Sequence, residues 1–171
     1  MKRNLQPVDK NLAAEIWAQF PELQAIKEND PNSMSRVAIS VFDHWLRDES
    51  EWHLMDCFSG AERERRDKLF REHWSLIFDA TPVYTLRYRG RWQKKAKLVL
   101  KRFSEKEFFM ERSRILMNKS PSQFVILPEF DCIYAASWDD TNVLYYNDRN
   151  AAEPILKFAR NVGLHSLEYE I

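Results

Sequence analysis

Apolar and polar residues alternate along much of the second half of the chain, and a period of two predicts β-strands. Tyr84, Leu86 and Tyr88 share one side of a segment whose other side is basic. Ala96, Leu98 and Leu100 alternate in the same way a few residues later. The pattern therefore predicts two antiparallel strands at about 84–89 and 96–101, joined by a turn at 90–95.

The last third of the chain predicts two strands, a turn, a return strand, a helix and a final strand. The strands fall at 124–127, 130–137, 143–147 and 164–171, with the turn at 138–142. Asn147, Asp148 and Asn150 are good N-caps for the helix, and Pro154 is tolerated only in its first turn. Gly163 suits the left-handed position that closes a helix.

Helical periodicity predicts that the first half of the chain folds mainly into helices. The first helix covers 12–20, with Asp9 as its cap, and the second covers 35–47, where apolar residues form a wide stripe. Ser59 and Glu62 form a capping box that starts a third helix reaching residue 78. Its first two turns are almost wholly charged, so we expect them to project into solvent. A second capping box, Ser104 and Glu107, predicts a further helix after the basic hairpin.

Together these elements predict an α+β fold in a single domain, residues 1–171. The helical part is about 9–78 and the sheet-containing part about 82–171. About three N-terminal helices would pack on a mainly antiparallel sheet of about five strands, with two helices inserted between strands. If the strands at 143–147 and 164–171 share that sheet, the helix between them makes a right-handed parallel crossover.

Composition narrows the classes of function. The 26 basic and 26 acidic residues cancel, which argues against a protein that binds nucleic acid over its whole surface. The three glycines are far apart, so no glycine-rich phosphate loop is present and no cofactor is predicted. The chain has neither a signal-peptide apolar segment nor a run long enough to span a bilayer, which predicts a cytoplasmic protein with free thiols at Cys57 and Cys132.

The strongest local anomaly is a basic, aromatic segment between residues 80 and 104 that contains no acid. It could bind an acidic partner protein, or it could bind single-stranded nucleic acid through phosphate contacts and base stacking. Alternatively, it could be the solvated edge of a sheet, balanced by the acids Glu129, Asp131, Asp139 and Asp140. The predicted binding surface comprises Arg87, Arg89, Arg91, Trp92, Lys94, Lys97, Trp138 and Arg149.

Other candidate chemistry is sparse, and no catalytic or metal-binding residue is predicted. His53 and Cys57 have the helical spacing of half a metal site, without a second pair of ligands. Asp43–His44 and Glu72–His73 could be acid–base dyads, but adjacent residues on a helix point about 100° apart. The segment 145–149 could hold an anion at a helix start, although Asp148 is better placed to cap those amides.

The residues Pro128–Tyr134, Asp139–Asp140, Tyr146–Arg149, Leu156, Phe158 and Leu167–Tyr169 carry a family resemblance. They resemble the C-terminal part of an uncharacterised family of small bacterial proteins with an Asp–Arg pair after the penultimate strand and a final Leu-x-Tyr-like strand. The glycine usual after that arginine is Asn150 here. The resemblance implies an immunity or accessory partner that works by binding, and it implies no catalytic residues.

The leading hypothesis is therefore a non-enzymatic bacterial protein-binding domain that contacts an acidic protein surface. Single-stranded nucleic-acid binding through the same hairpin is the alternative. An unrecognised enzyme is a third hypothesis, which would need polar groups that converge in a pocket. No membrane partner is predicted, and the oligomeric state stays open.

Overall fold

The fold is described from a computed structural model covering residues 4–24, 33–89, 97–115, 124–137 and 139–169, with the backbone alone at 112–115. The strands are β1 (Leu5–Pro7), β2 (Ser35–Ser40), β3 (Tyr84–Arg89), β4 (Lys97–Phe103), β5 (Phe124–Leu127), β6 (Cys132–Ala135), β7 (Thr141–Tyr146) and β8 (His165–Glu168). The α-helices are α1 (Lys10–Gln19), α2 (Gly60–Ala80), α3 (Lys106–Ile115) and α4 (Arg149–Val162). Short 3₁₀ helices occupy Pro21–Gln24, Glu49–Met55 and Pro128–Phe130.

All eight strands belong to one sheet in the order β1-β4-β3-β5-β6-β7-β2-β8, and every neighbouring pair is antiparallel. The predicted α+β class is confirmed, but the sheet has eight strands rather than about five. Two of the additional strands are β1, which precedes the part of the chain predicted to be helical, and β2, which lies within that part. Because β7 and β8 are both antiparallel to β2, they run parallel to each other with β2 between them.

The sheet is covered on both faces. One face, here called the three-helix face, packs Val37, Val125 and Leu127 against residues of α2, α3 and α4. The opposite face, here called the α1 face, packs Leu86 and Ile133 against α1 and the 3₁₀ turn after it. Each face has its own apolar cluster, so alternate residues of the central strands are buried on opposite sides.

The predicted helix at 35–47 is wrong. Residues 35–40 form strand β2, which lies between β7 and β8, and a loop follows. Val37 and Ile39 point to the three-helix face, and Ala38 and Ser40, on the other side of the strand, are also fully buried. A strand buried on both sides is a continuous apolar run, which periodicity cannot distinguish from a buried helix.

The first turns of α2 project into solvent only in part: Glu62, Glu64 and Arg65 are exposed as predicted, whereas Arg66 is buried. Arg66 is only 5% exposed, and its Nη1 lies 3.0 Å from Oδ2 of Asp140 in the turn between β6 and β7. Arg63 binds the same carboxylate through two nitrogens at 3.0 and 2.8 Å. Nor does the predicted capping box form, because Ser59 makes no side-chain cap bond and Glu62 binds Arg65 and Arg66 instead.

Local cap chemistry predicts other elements well. Asp9 accepts hydrogen bonds from Asn11 and Leu12 at the start of α1, and Asp148 accepts from Asn150 at the start of α4. Gly163 ends α4 with φ of 93°, the left-handed conformation that glycine adopts at little cost. Among the described residues, no helix is long and apolar enough to cross a membrane.

Candidate functional site

The predicted binding residues fall in three places. Arg87 and Arg89 lie on β3, and Lys97 lies opposite Arg89 on β4. The hairpin strands are therefore where the sequence predicted them. The other hairpin residues, Arg91, Trp92 and Lys94, lie outside the described residues, as does Trp138.

Arg149 does not belong to the hairpin surface. It begins α4 near the opposite edge of the sheet, where its Nη2 donates to Glu168 Oε1 at 2.7 Å. Its guanidinium also stacks on the ring of Tyr146, with 5.5 Å between the guanidinium carbon and the ring centroid. The structure thus separates Arg149 from Arg89 and Lys97, and assigns Arg149 a local role between α4 and β8.

Three of the four acids that the sequence offered as a balance for the basic hairpin have partners elsewhere. The Asp140 carboxylate is bound by Arg63 and Arg66 of α2. The Asp131 carboxylate accepts hydrogen bonds from Gln19 and Asn147. The Asp139 carboxylate accepts from the Thr141 amide within its own turn. These three carboxylates are therefore held by residues outside the hairpin strands.

The hairpin contributes instead to a groove between α1 and β4, of about 310 Å³. Its apolar floor is formed by Ala13 and Trp17 of α1 together with Leu98 and Leu100 of β4. Three cations line the same groove, and they come from three elements: Lys10, Arg89 and Lys101. We call this the basic groove.

Among the described residues that line the basic groove, none is acidic. The acid next to it in sequence, Asp9, is directed at its own helix, with Oδ1 lying 2.8 Å from the Asn11 amide. Three positive charges around an aromatic floor create a local positive potential even though the whole chain is neutral. The groove can therefore hold an anionic group that also has an apolar part.

A larger groove of about 430 Å³ lies between α2 and α3, and its charges are mixed. Glu64, Asp67 and Glu72 line it together with Lys68 and Arg71, and Lys68 lies 3.8 Å from Glu72. Because opposite charges alternate along its wall, this groove has no net preference for one sign of ligand. The basic groove is the stronger candidate despite its smaller volume.

Asp43 and His44 do interact, contrary to the argument from helix geometry. The segment is a loop rather than a helix, so His44 Nδ1 lies 2.6 Å from Asp43 Oδ1. Glu51 takes the other ring nitrogen at 2.7 Å, and its hydrogen bond is the main reason why the pKa of His44 is raised, with Asp43 adding to it. The protonated ring donates to both carboxylates, so the raised pKa favours the form of His44 that has no lone pair to act as a base.

His73 is a core residue and does not pair with Glu72. Its Nε2 donates to the Ile155 carbonyl at 3.1 Å, and its Nδ1 accepts from the Tyr134 hydroxyl at 3.4 Å. Tyr134 in turn accepts from Asn142, whose side-chain oxygen accepts from the Ser137 amide. Burial lowers the pKa of His73 to about 4, so the ring is neutral at pH 7.

The structure also describes the other residues that the sequence raised as candidates: the two cysteines, the possible metal ligands and the start of α4. Cys57 and Cys132 are both free thiols, as predicted, although only Cys132 is fully buried. Within the described part of the chain, no group of three or more His, Cys, Asp or Glu side chains is arranged to hold a metal ion. At the start of α4 the cap is Asp148, which occupies the amide that an anion would need.

Lys10, Ala13 and Trp17 were missed as site residues. They stand at spacings of three and four residues, which places them on one face of α1. That signal was in the sequence, but it predicts only that the three share a face. It does not predict that β1 pairs with β4 and so places this face of α1 beside the outer edge of β4, since that pairing depends on tertiary structure.

Comparison with protein-family models, with curated proteins and with solved structures found no match. The resemblance to small bacterial immunity or accessory proteins therefore stays a prediction from the residues that carry it. Function has to be argued from the groove itself.

Proposed function

We propose that the chain is a protein-binding domain that recognises an acidic partner through the basic groove. One observation supports this above the others: Lys10, Arg89 and Lys101 line a groove whose floor contains Trp17 and whose lining has no acid. The proposal involves binding and no chemical step. An accessory or immunity role, as the sequence resemblance implies, is one setting in which such a domain would act.

The physical basis is complementarity of charge together with an aromatic anchor. A positive patch speeds the encounter with a negative partner and disfavours partners of the same sign. Tryptophan and arginine are the residues that most often dominate binding energy at interfaces, and the groove supplies Trp17 and Arg89. We expect the cations to govern selectivity and the apolar floor to supply most of the affinity.

The test is capture of partner proteins from cells of the native host with wild-type protein and the charge-reversed double variant Arg89→Glu/Lys101→Glu. The matched control is Lys68→Glu/Lys157→Glu, which makes the same change in net charge at exposed positions on α2 and α4. We expect wild type and control to retain the same stoichiometric acidic protein, and the groove variant to lose it. We expect the groove variant to lose at least about 1.4 kcal/mol of binding free energy, which corresponds to at least a tenfold rise in Kd.

Two results would count against the proposal. One is that no stoichiometric protein is captured by the wild-type chain. The other is that both double variants lose the partner equally, because net charge rather than the groove would then explain binding. Circular dichroism and thermal unfolding of each variant check that the fold is retained.

Single-stranded nucleic acid is the second candidate, and one observation favours it. The Tyr88 side chain is 49% exposed on β3, next to Arg89 and across from Leu98. An exposed aromatic ring beside cations can stack with a base while the cations contact phosphate. Titration with oligothymidylate at two salt concentrations tests it: phosphate binding must weaken as salt rises, and absence of binding at low salt excludes it.

A further inference from the structure

The outer edge of β4 is only partly covered by β1. The β1–β4 pairing runs from Leu5 opposite Phe103 to Pro7 opposite Lys101, and there it stops. Among the described residues, no strand pairs with Lys97–Leu100 on that side. This uncovered stretch of backbone is one wall of the basic groove.

The direction of the backbone groups on this stretch follows from the hydrogen bonds at its end. The Phe103 amide donates to Val83 on the β3 side, whereas the Ser104 amide donates to Asn4 on the β1 side. In an antiparallel ladder these directions alternate from residue to residue. Leu98 and Leu100 therefore direct their N–H and C=O groups outward, into the groove.

The side chains beside this edge differ between the two faces of the sheet. Leu98 and Leu100 lie on the α1 face, where they pack with Trp17 and the core beneath it. Lys97 and Lys101 alternate with them and therefore lie on the three-helix face, where Arg89 pairs with Lys97. A strand laid along this edge would meet apolar groups on one face and cations on the other.

We infer that the basic groove binds an extended peptide segment whose acidic and apolar residues alternate, and that this segment adds to the sheet as a strand beside Lys97–Leu100. The inference rests on the proposed function and specifies its partner. The main-chain groups of this segment bond to Leu98 and Leu100, and its apolar side chains contact Trp17. Its carboxylates lie on the face of the sheet that carries Lys97 and Lys101. Binding by strand addition derives affinity from the backbone and specificity from alternate side chains.

Repulsion between lysines disfavours a second copy of this chain as the partner that binds the β4 edge. Pairing the uncovered β4 stretches of two copies would place Lys97 and Lys101 of both copies on one face of the joined sheet. Like charges close together on a sheet repel, and lysine on an edge strand is a common means of preventing such pairing. An acidic segment is favoured by the same charges that oppose self-association.

The probe is an acetylated and amidated peptide with the sequence Glu-Val-Glu-Val-Glu, titrated into ¹⁵N-labelled protein and followed by NMR and amide exchange. We expect the Leu98 and Leu100 amides to exchange at least about tenfold more slowly in the presence of saturating peptide, because they become hydrogen-bonded. A peptide with the same composition but clustered charge, Glu-Glu-Glu-Val-Val, should bind at least about tenfold more weakly.

A pair of variants isolates the backbone contribution. Leu98→Pro removes the outward N–H without removing a bond to β3, whereas Leu98→Ala removes only the side chain. We expect Leu98→Pro to bind the alternating peptide at least about tenfold more weakly than Leu98→Ala does. Slow exchange of the Val99 and Lys101 amides checks that the hairpin is retained in both variants. If a variant disrupts the hairpin, the exchange rates measured on the wild-type protein still test strand addition.

Each outcome supports or overturns strand addition. Unprotected Leu98 and Leu100 amides, equal binding of the clustered peptide, no binding of either peptide, or tighter binding of oligothymidylate than of peptide would each overturn it. A peptide-induced dimer detected by ultracentrifugation would also overturn it, since the edge would then pair with a second copy. If the host partner is still lost on reversal of Arg89 and Lys101, the proposed function survives without strand addition.

Discussion

At the scale of single residues, Asp140 joins its own turn to two distant parts of the chain. Its carboxylate binds Arg63 and Arg66 of α2, and its carbonyl oxygen accepts from Val41 just after β2. Both Asp140 and Arg66 are nearly inaccessible to solvent. Removing one member of a buried ion pair leaves the other charge buried without its partner, which costs more than the pair contributes as a whole.

We therefore predict that Asp140→Asn lowers the free energy of unfolding by about 3 kcal/mol, as measured by urea denaturation. Asparagine tolerates the left-handed backbone of this position, where φ is 58°, so the loss reports on charge. The matched control is Asp139→Asn in the same turn, for which we expect less than about 1 kcal/mol because its contact is local. Equal losses for the two variants would contradict a special role for the ion pair.

His73 is a residue whose protonation differs between the folded and the unfolded chain. Its pKa is about 4 in the folded protein, against an ordinary value of 6.5, because the ring is buried among apolar groups. The unfolded chain takes up a proton as pH falls through 6.5, whereas the folded protein does so only near pH 4. Its contribution to stability is therefore complete above pH 6.5 and is lost progressively as pH falls toward 4.

The shift predicts that lowering pH from 7 to 4 costs about 3 kcal/mol of stability through His73 alone. His73→Gln removes the titrating group, so its unfolding free energy should start lower at pH 7 but decline less over this range. Urea denaturation at several pH values measures both slopes, with the exposed His165→Gln as the control that keeps the wild-type slope. A His73→Gln slope as steep as wild type would show that other groups cause the pH dependence.

At the scale of elements, the sequence predicted the helices and strands whose ends are marked by capping or turn residues. The helix α4 has Asp148 at its start and Gly163 at its end, and both predictions are confirmed. The β3–β4 hairpin forms where the alternation of apolar and polar residues predicted two strands. The strand β2 was predicted as a helix because it is buried on both sides, and β1 is too short for a period to be detected.

Gly163 offers a test of the cap argument at this scale. With φ of 93°, alanine there should cost about 1 kcal/mol in unfolding free energy, whereas the larger asparagine should cost less because it adopts left-handed conformations more readily. A β-carbon would lie 3.8 Å from the Leu69 side chain, which is an ordinary contact, so crowding does not explain the difference. Thermal or urea unfolding of both variants distinguishes the two explanations. A greater loss of unfolding free energy for the asparagine variant than for the alanine variant would indicate crowding instead.

At the scale of the whole molecule, the sheet order determines which predicted site residues meet. The strands β3 and β4 lie toward one edge, and β7 and β8 toward the other, so Arg89 and Arg149 cannot share a surface. The sequence predicted the basic strands as the region of interest, and residues of both strands line the basic groove. It could not predict the apolar floor, because Trp17 and Leu98, which both line the groove, are 81 positions apart in the chain.

The sheet order also explains why a neutral chain has a positive groove. Two of the acids predicted to balance the hairpin are held on other elements, Asp140 by Arg63 and Arg66 and Asp131 by Gln19 and Asn147. Charge is thus balanced over the molecule but not within the groove. We regard this local imbalance as the central claim about function, since both the proposed partner and its mode of binding depend on it.

The most direct test is the Kd of the Glu-Val-Glu-Val-Glu peptide, measured by calorimetry at about 20 mM and 200 mM salt for wild type, Arg89→Glu/Lys101→Glu and Lys68→Glu/Lys157→Glu. Screening weakens attraction between exposed charges as salt rises. We predict that Kd rises several-fold with salt for wild type and the control, and that the groove variant binds at least about tenfold more weakly at low salt. A Kd that is the same for all three proteins and at both salt concentrations would contradict the account.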